Sequence, residues 1–166
     1  MRNQLMTLFF LFIISCSPFQ KNNFNIETET RLILDLHNLQ KTFHLEKNAN
    51  NFSELFSDHF ISVNKGKVTS PSVLENRSKF QNYFDSIEFI KWDDLETPQV
   101  RFSDDGSMAF TIVKKEIIIQ YPNEKKETIE EKTVFAWTTI YRKQKGKWKI
   151  ECVTSTNQME EKRLIE

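Results

Sequence analysis

The residues with the most chemical reach are few: three histidines, two cysteines and one adjacent acid–base pair. Asp58-His59 sets a carboxylate beside an imidazole, a pair that could pass a proton as acid and base. The same two residues closing a surface helix need no chemistry, because the helix dipole favours a histidine near a C-terminus. His37 and His44 are two helical turns apart, roughly 10 Å along an axis. That is too far to share one metal ion, so they read as two solvated histidines and no metal site is expected. Cys152 reads as a small buried hydrophobe. There is no Gly-rich phosphate loop, no CxxC pair and no nucleophile elbow, so no cofactor is expected. Tyr141-Arg142-Lys143 and Trp148-Lys149 alternate aromatic and basic residues, as single-strand binders do. Glu127, Glu130, Glu131 and Glu151 offset them. The whole chain carries 23 basic and 23 acidic residues in 166, so no field draws in a nucleic acid.

The second cysteine, Cys16, has a sharper context. Arg2 precedes the apolar run Leu5–Ile14, too short to span a bilayer, which takes roughly 20 residues, but suited to a secretory leader. The run ends in Ile13-Ile14-Ser15-Cys16, which resembles the bacterial lipobox: two aliphatic positions, a small residue, then a cysteine. The resemblance implies cleavage before Cys16 and acylation of it, several chains anchoring where one does not. Residues 1–15 are then a lipoprotein signal peptide and 16–26 a polar tether with Pro18. The expected location is the bacterial cell envelope, with the bilayer as a partner. The mature chain would keep 22 basic against 23 acidic residues. Cys152 would have no internal disulfide partner.

The elements come next. From Glu27, Leu32, Leu36, Leu39 and Phe43 recur at helical spacing beside Ile33, with Thr28 or Thr30 as cap. Asn48-Ala49-Asn50-Asn51 ends that helix. Phe52, Leu55, Phe56 and Phe60 suggest a second, then Ile61–Val63 a short strand and Asn64–Lys67 a turn. Ser70-Pro71-Ser72 starts a third helix running to about Phe84.

The remainder is sheet. Ser86–Trp92 alternates, and Asp93–Pro98 reads as a turn. Residues 99–121 form a long strand interrupted by the hairpin signal Asp105-Gly106. Met108, Phe110 and Ile112 face one way. The apolar phase slips at Lys114–Glu116, read as a bulge that curves the sheet. Strands 131–142 and 147–156 follow, joined at Lys145-Gly146. In the last, Trp148, Ile150, Cys152 and Thr154 are set against Lys149, Glu151, Val153 and Ser155.

This order resembles the nuclear transport factor 2-like superfamily in its SnoaL-like bacterial branch. The matching residues are Phe52–Phe60 as second helix, Gly66 in the loop after it, Phe80 and Tyr83-Phe84, the hairpin Phe102–Ala109, and Lys145–Ile150 leading a last strand that ends in Ser155-Thr156. The resemblance implies an α+β cone, three N-terminal helices packed on a strongly curved mixed or antiparallel sheet, with a pocket at the open end. The domain spans 27–158 and residues 159–166 form a C-terminal tail. Homodimers through the sheet face are also implied. In isomerase-like members a carboxylate base and a tyrosine donor face the pocket. Here the base position falls near Asn64, which cannot take a proton, and Leu36–Gln40 holds no tyrosine.

The expectation is a membrane-anchored envelope lipoprotein whose domain binds a small apolar ligand or a partner protein without catalysis, so no catalytic residue is assigned. Alternatives are a SnoaL-like enzyme acting on a small carbonyl compound and an interaction module with a filled pocket. Pocket candidates are Phe56, Phe60, Phe80, Phe84, Trp92, Phe110, Trp137 and Tyr141, each of which could instead fill the core.

Overall fold

A computed structural model describes residues 24–165, so the leader, Cys16 and most of the tether lie outside the described residues. The first element is α1 (Ile26–Leu45), capped by Asn25, whose Oδ1 accepts the Thr28 N–H at 3.0 Å. The stripe it buries is not the leucine stripe. Ile33, His37, Gln40 and His44 face inward, while Leu32 and Leu39 are exposed. The two histidines are thus buried rather than solvated, because each finds a polar partner inside.

The second helix is shorter than its aromatic spacing suggests. α2 (Ala49–Ser53) ends after one turn, and Phe56 opens β1 (Phe56–Asn64). Phe56 and Phe60 therefore sit on a strand, and Asp58-His59 lies exposed on it rather than at a helix end. Phe52, Leu55 and Phe56 fit either period; the aromatic and β-branched density of Phe56–Val63 favours the strand. β1 turns through Lys65-Gly66, both at positive φ, into β2 (Lys67–Thr69). Only then comes α3 (Val73–Ser86), so two helices, not three, precede the first strand. Ser72 caps α3 in a reciprocal capping box with Glu75.

β3 (Glu88–Asp94) continues through the two aspartates expected to turn. Its register against β5 shifts between Phe89 and Lys91, which moves Trp92 to the buried face with Phe89. β4 (Gln99–Phe102) and β5 (Met108–Pro122) form the hairpin at Gly106, whose φ is +65°. A Cβ on Gly106 would meet the Phe24 ring at 2.3 Å, so this turn seats the start of the chain.

β5 carries no bulge at Lys114–Glu116. It pairs residue for residue with β6 (Thr128–Gln144) from Met108 to Pro122. The inward set is Ala109, Thr111, Val113, Lys115, Ile117 and Ile119, and Phe110 and Ile112 face out. The apparent slip arises because large apolar residues occupy the outer face at one end and the inner face at the other. A true shift lies in β7 (Lys147–Asn157), where Glu151 is the extra residue opposite Ile140 and Tyr141. It places Val153 and Ser155 on the face of Trp148 and Ile150, and leaves Cys152 half-buried on the other. Residues 161–165, expected as tail, form β8 (Glu161–Ile165), antiparallel to β6.

The sheet order is β2-β1-β7-β6-β5-β3, with β1–β7 parallel and the other pairs antiparallel; β4 extends along β5 and β8 along β6. α1 touches both β3 and β7. Those strands are three positions apart, about 14 Å in a flat sheet, so the sheet curls around the helix. This is a mixed α+β fold with a curved sheet.

Candidate functional site

The concave side holds a cavity of about 240 Å³, just below the roughly 300–1,000 Å³ usual for ligand sites. α1 gives it Gln40 and His44, and β1 gives Phe56, Phe60, Ser62 and Asn64. α3 gives Asn76, Lys79 and Phe80, and the opposite wall is Trp92, Phe135, Trp137 and Thr139. The positions follow from two periods. Gln40 and His44 are one turn apart on α1, and Phe135, Trp137 and Thr139 are alternate residues of β6.

Five of the eight expected pocket residues line this cavity: Phe56, Phe60, Phe80, Trp92 and Trp137. Phe84 and Tyr141 are fully buried beside it. Phe84 packs edge-on to His44 at 5.2 Å, and the Tyr141 hydroxyl lies 3.4 Å from Thr111 Oγ1. Phe110 is on the outer face, corrected by the unbroken register of β5. Asn64 lines the cavity, but its amide cannot act as a base.

The polar half of the wall was not legible as a site. Gln40, Asn76 and Thr139 are at least nine-tenths buried. Gln40 and Thr139 turn toward the Tyr141 hydroxyl without meeting it at full hydrogen-bond geometry, and Asn76 Nδ2 and Trp137 Nε1 have no hydrogen-bond partner within the described protein. Such groups cost about 1–3 kcal/mol each when left unpaired. Among the described lining residues none is a carboxylate; the ionisable ones are His44 and the exposed Lys79. His44 is stacked on Trp92 at 4.6 Å and met edge-on by Phe52 and Phe89 at 4.5 and 5.3 Å. Burial pushes its pKa down to about 4, with the Lys115 charge adding to the effect, so the imidazole is neutral at pH 7.

A second polar group abuts the cavity through Trp92. Asp94 pairs across strands with Lys115. Its carboxylate accepts from His37 Nε2 at 2.9 Å and meets the Lys115 ammonium at 2.5 Å. The ammonium also lies 3.8 Å from the centre of the Trp92 ring. Burial alone would raise the Asp94 pKa, but hydrogen bonds from His37 and Lys115 hold it below the usual carboxylate range. Burial lowers the Lys115 pKa, opposed by Asp94. Because Asp94 accepts from Nε2, the other His37 nitrogen, Nδ1, is left buried and unpartnered. Parity was the available signal: Lys115 shares the odd-numbered face of Ala109, Thr111 and Val113. The expected phase slip hid it.

No protein-family model and no curated protein matches this sequence. Solved structures do match. An NTF2-like protein from Cytophaga hutchinsonii aligns with a TM-score of 0.60 at 14% identity, over 81% of this chain and all of that one. An NTF2-like protein of unknown function in nutrient uptake from Rhodospirillum rubrum aligns with a TM-score of 0.60 at 15% identity, over 76% and 98%. The chain has the nuclear transport factor 2-like fold. A type 2 hexachlorocyclohexane dehydrochlorinase aligns with a TM-score of 0.64 at 11% identity, over 84% and 90%. At such identities the likeness is one of fold, and an NTF2-like fold hosts unrelated chemistries. The cavity here lies where α1, α3 and the concave sheet face of that fold meet.

Proposed function

We propose that this chain is an envelope lipoprotein, held to the bilayer by acylated Cys16, whose NTF2-like domain binds a small, largely apolar ligand without converting it. The observation that carries the binding part is the 240 Å³ cavity, walled by aromatic rings and free of carboxylates among the described residues. A hydrophobic site with a few placed polar groups is what a small-molecule site requires. An open cavity weighs against an interaction module with a filled pocket. Among the described residues no helix is long and apolar enough to cross a membrane, so attachment rests on Cys16.

Mass spectrometry of solvent extracts of the purified protein tests the binding. A small molecule at stoichiometric amount is expected, and Thr139→Trp, which fills the cavity, should lose it. No bound molecule in either protein would overturn the reading. Cys16→Ala should release the chain from the membrane fraction, and continued attachment would sink the anchoring.

A second reading, a SnoaL-like enzyme, is favoured by the buried Asp94–His37–Lys115 group. Under it, Asp94→Asn abolishes turnover of the extracted compound; under the binding reading that compound is recovered unchanged after incubation. Homodimerisation is supported by the outer face, where Phe110 and Ile112 are exposed on β5, Phe110 in the row that runs through Ile140 and Cys152 to the exposed Ile61 of β1.

A further inference from the structure

One nitrogen in the cavity wall has its hydrogen-bonding role dictated by the backbone. His44 Nδ1 lies 2.6 Å from the Gln40 carbonyl oxygen. A carbonyl only accepts, so Nδ1 carries the hydrogen and Nε2 keeps its lone pair. The stack on Trp92 and the edges of Phe52, Phe84 and Phe89 hold the ring in place. The wall therefore presents a fixed acceptor. On the same cavity wall is an amide donor without a partner, Asn76 Nδ2 on α3.

One acceptor with an amide donor on the same wall matches a hydroxyl, which can donate once and accept in return. A carboxylate would set its negative charge against the Nε2 lone pair. An ether or ketone has nothing to donate. Much of the remaining wall is rings, beside polar residues such as Ser62, Asn64 and Lys79: Trp92 and Trp137 stand 5.6 Å apart, and Phe56 and Phe80 lie nearly parallel at 5.8 Å. Such surfaces favour a flat aromatic guest.

We propose that the ligand is a small hydroxylated aromatic molecule whose hydroxyl donates to His44 Nε2 and accepts from the Asn76 amide. This rests on the ligand-binding reading above and adds the ligand class. No proton changes hands. A phenol titrates near 10 and His44 near 4, so the hydrogen stays on the ligand oxygen and the bound form is the neutral phenol. His44 positions the guest and does not activate it.

The core elements all lie in residues 24–165, so the test uses the chain from Ser17, free of leader and anchor. Its probes are 2-naphthol, naphthalene and 2-methoxynaphthalene, titrated by calorimetry. The naphthol should bind about tenfold or more tightly than either comparison molecule, the worth of a hydrogen bond to a buried acceptor. In His44→Leu that ratio should fall to near one, with naphthalene affinity retained. Equal binding of all three by the unaltered chain would overturn the hydroxyl assignment while leaving the cavity a binding site. Binding of none would count against the ligand-binding reading itself. The comparison within the unaltered chain requires no substitution to fold.

Discussion

His44 and Asp94 show how residue type is reinterpreted by burial. An imidazole in water titrates near 6.5, and the one in this wall near 4. Its folded-state pKa is below the unfolded one, so the unfolded chain binds more protons and stability rises with pH. That contribution is complete above pH 6.5 and is lost as pH falls toward 4, by about 3 kcal/mol in all. Chemical denaturation at a series of pH values should show the loss in that window, and His44→Leu should flatten it. Asp94, with its pKa lowered, loses its contribution at more acid pH, below the ordinary carboxylate range. The Asp94–Lys115 pair makes a separate prediction. Removing Asp94 leaves the buried Lys115 charge alone, at a cost of about 3–5 kcal/mol, whereas Asp94 without Lys115 is a quarter exposed and keeps its bond from His37. Asp94→Asn should approach that loss and Lys115→Met should cost less, and the double variant should be far less destabilised than their sum. Additive losses would mean that the pair does not interact.

At the scale of elements, the strand ends are placed by turn chemistry and the faces by register. Lys65-Gly66 and Lys145-Gly146 both take positive φ at two successive residues, the demand of a two-residue hairpin. Gly106 answers a further need, since Phe24 packs where its Cβ would be and on Phe102 at 5.2 Å. Gly106→Ala should destabilise the domain by more than the roughly 1 kcal/mol of a left-handed alanine, because the Phe24 ring must also move. Phe24→Ala in the same background should recover part of that difference in thermal unfolding. The faces are harder to read. Register shifts at Ile90 and Glu151 each exchange inside for outside along the rest of a strand, as a one-residue slip must.

For the molecule as a whole, the curled sheet separates two apolar surfaces with different consequences. The inner one closes on α1 and leaves the cavity. The outer one exposes Phe110 and Ile112 near the start of a long paired strand. If that face joins two copies, Phe110→Lys should convert a dimer to a monomer in sedimentation experiments without shifting the unfolding midpoint of the monomer. A monomeric unaltered chain at high micromolar concentration would remove the dimer from consideration.

The sequence by itself determined the turns at Gly66, Gly106 and Gly146, the start of α3, and an α+β domain with a sheet-rich second half, but not the start of β1, the end of β3 or the existence of β8. The features it determined depend on local rules: turn residues, caps such as Ser72, and alternation within about ten residues. It also supplied most of the aromatic wall, because large rings in this pattern must go inside. Only the tertiary structure decided that His37, His44, Gln40 and Lys115 go inside with them. Their burial depends on partners far along the chain, Asp94 for His37 and Lys115, and the ring of Trp92 for His44. No local period announces a polar residue such as His37, whose partner Asp94 is 57 residues away. The same holds for the sheet, whose curl is set by the register of β3 and β7 against their neighbours rather than by the slip at Lys114–Glu116.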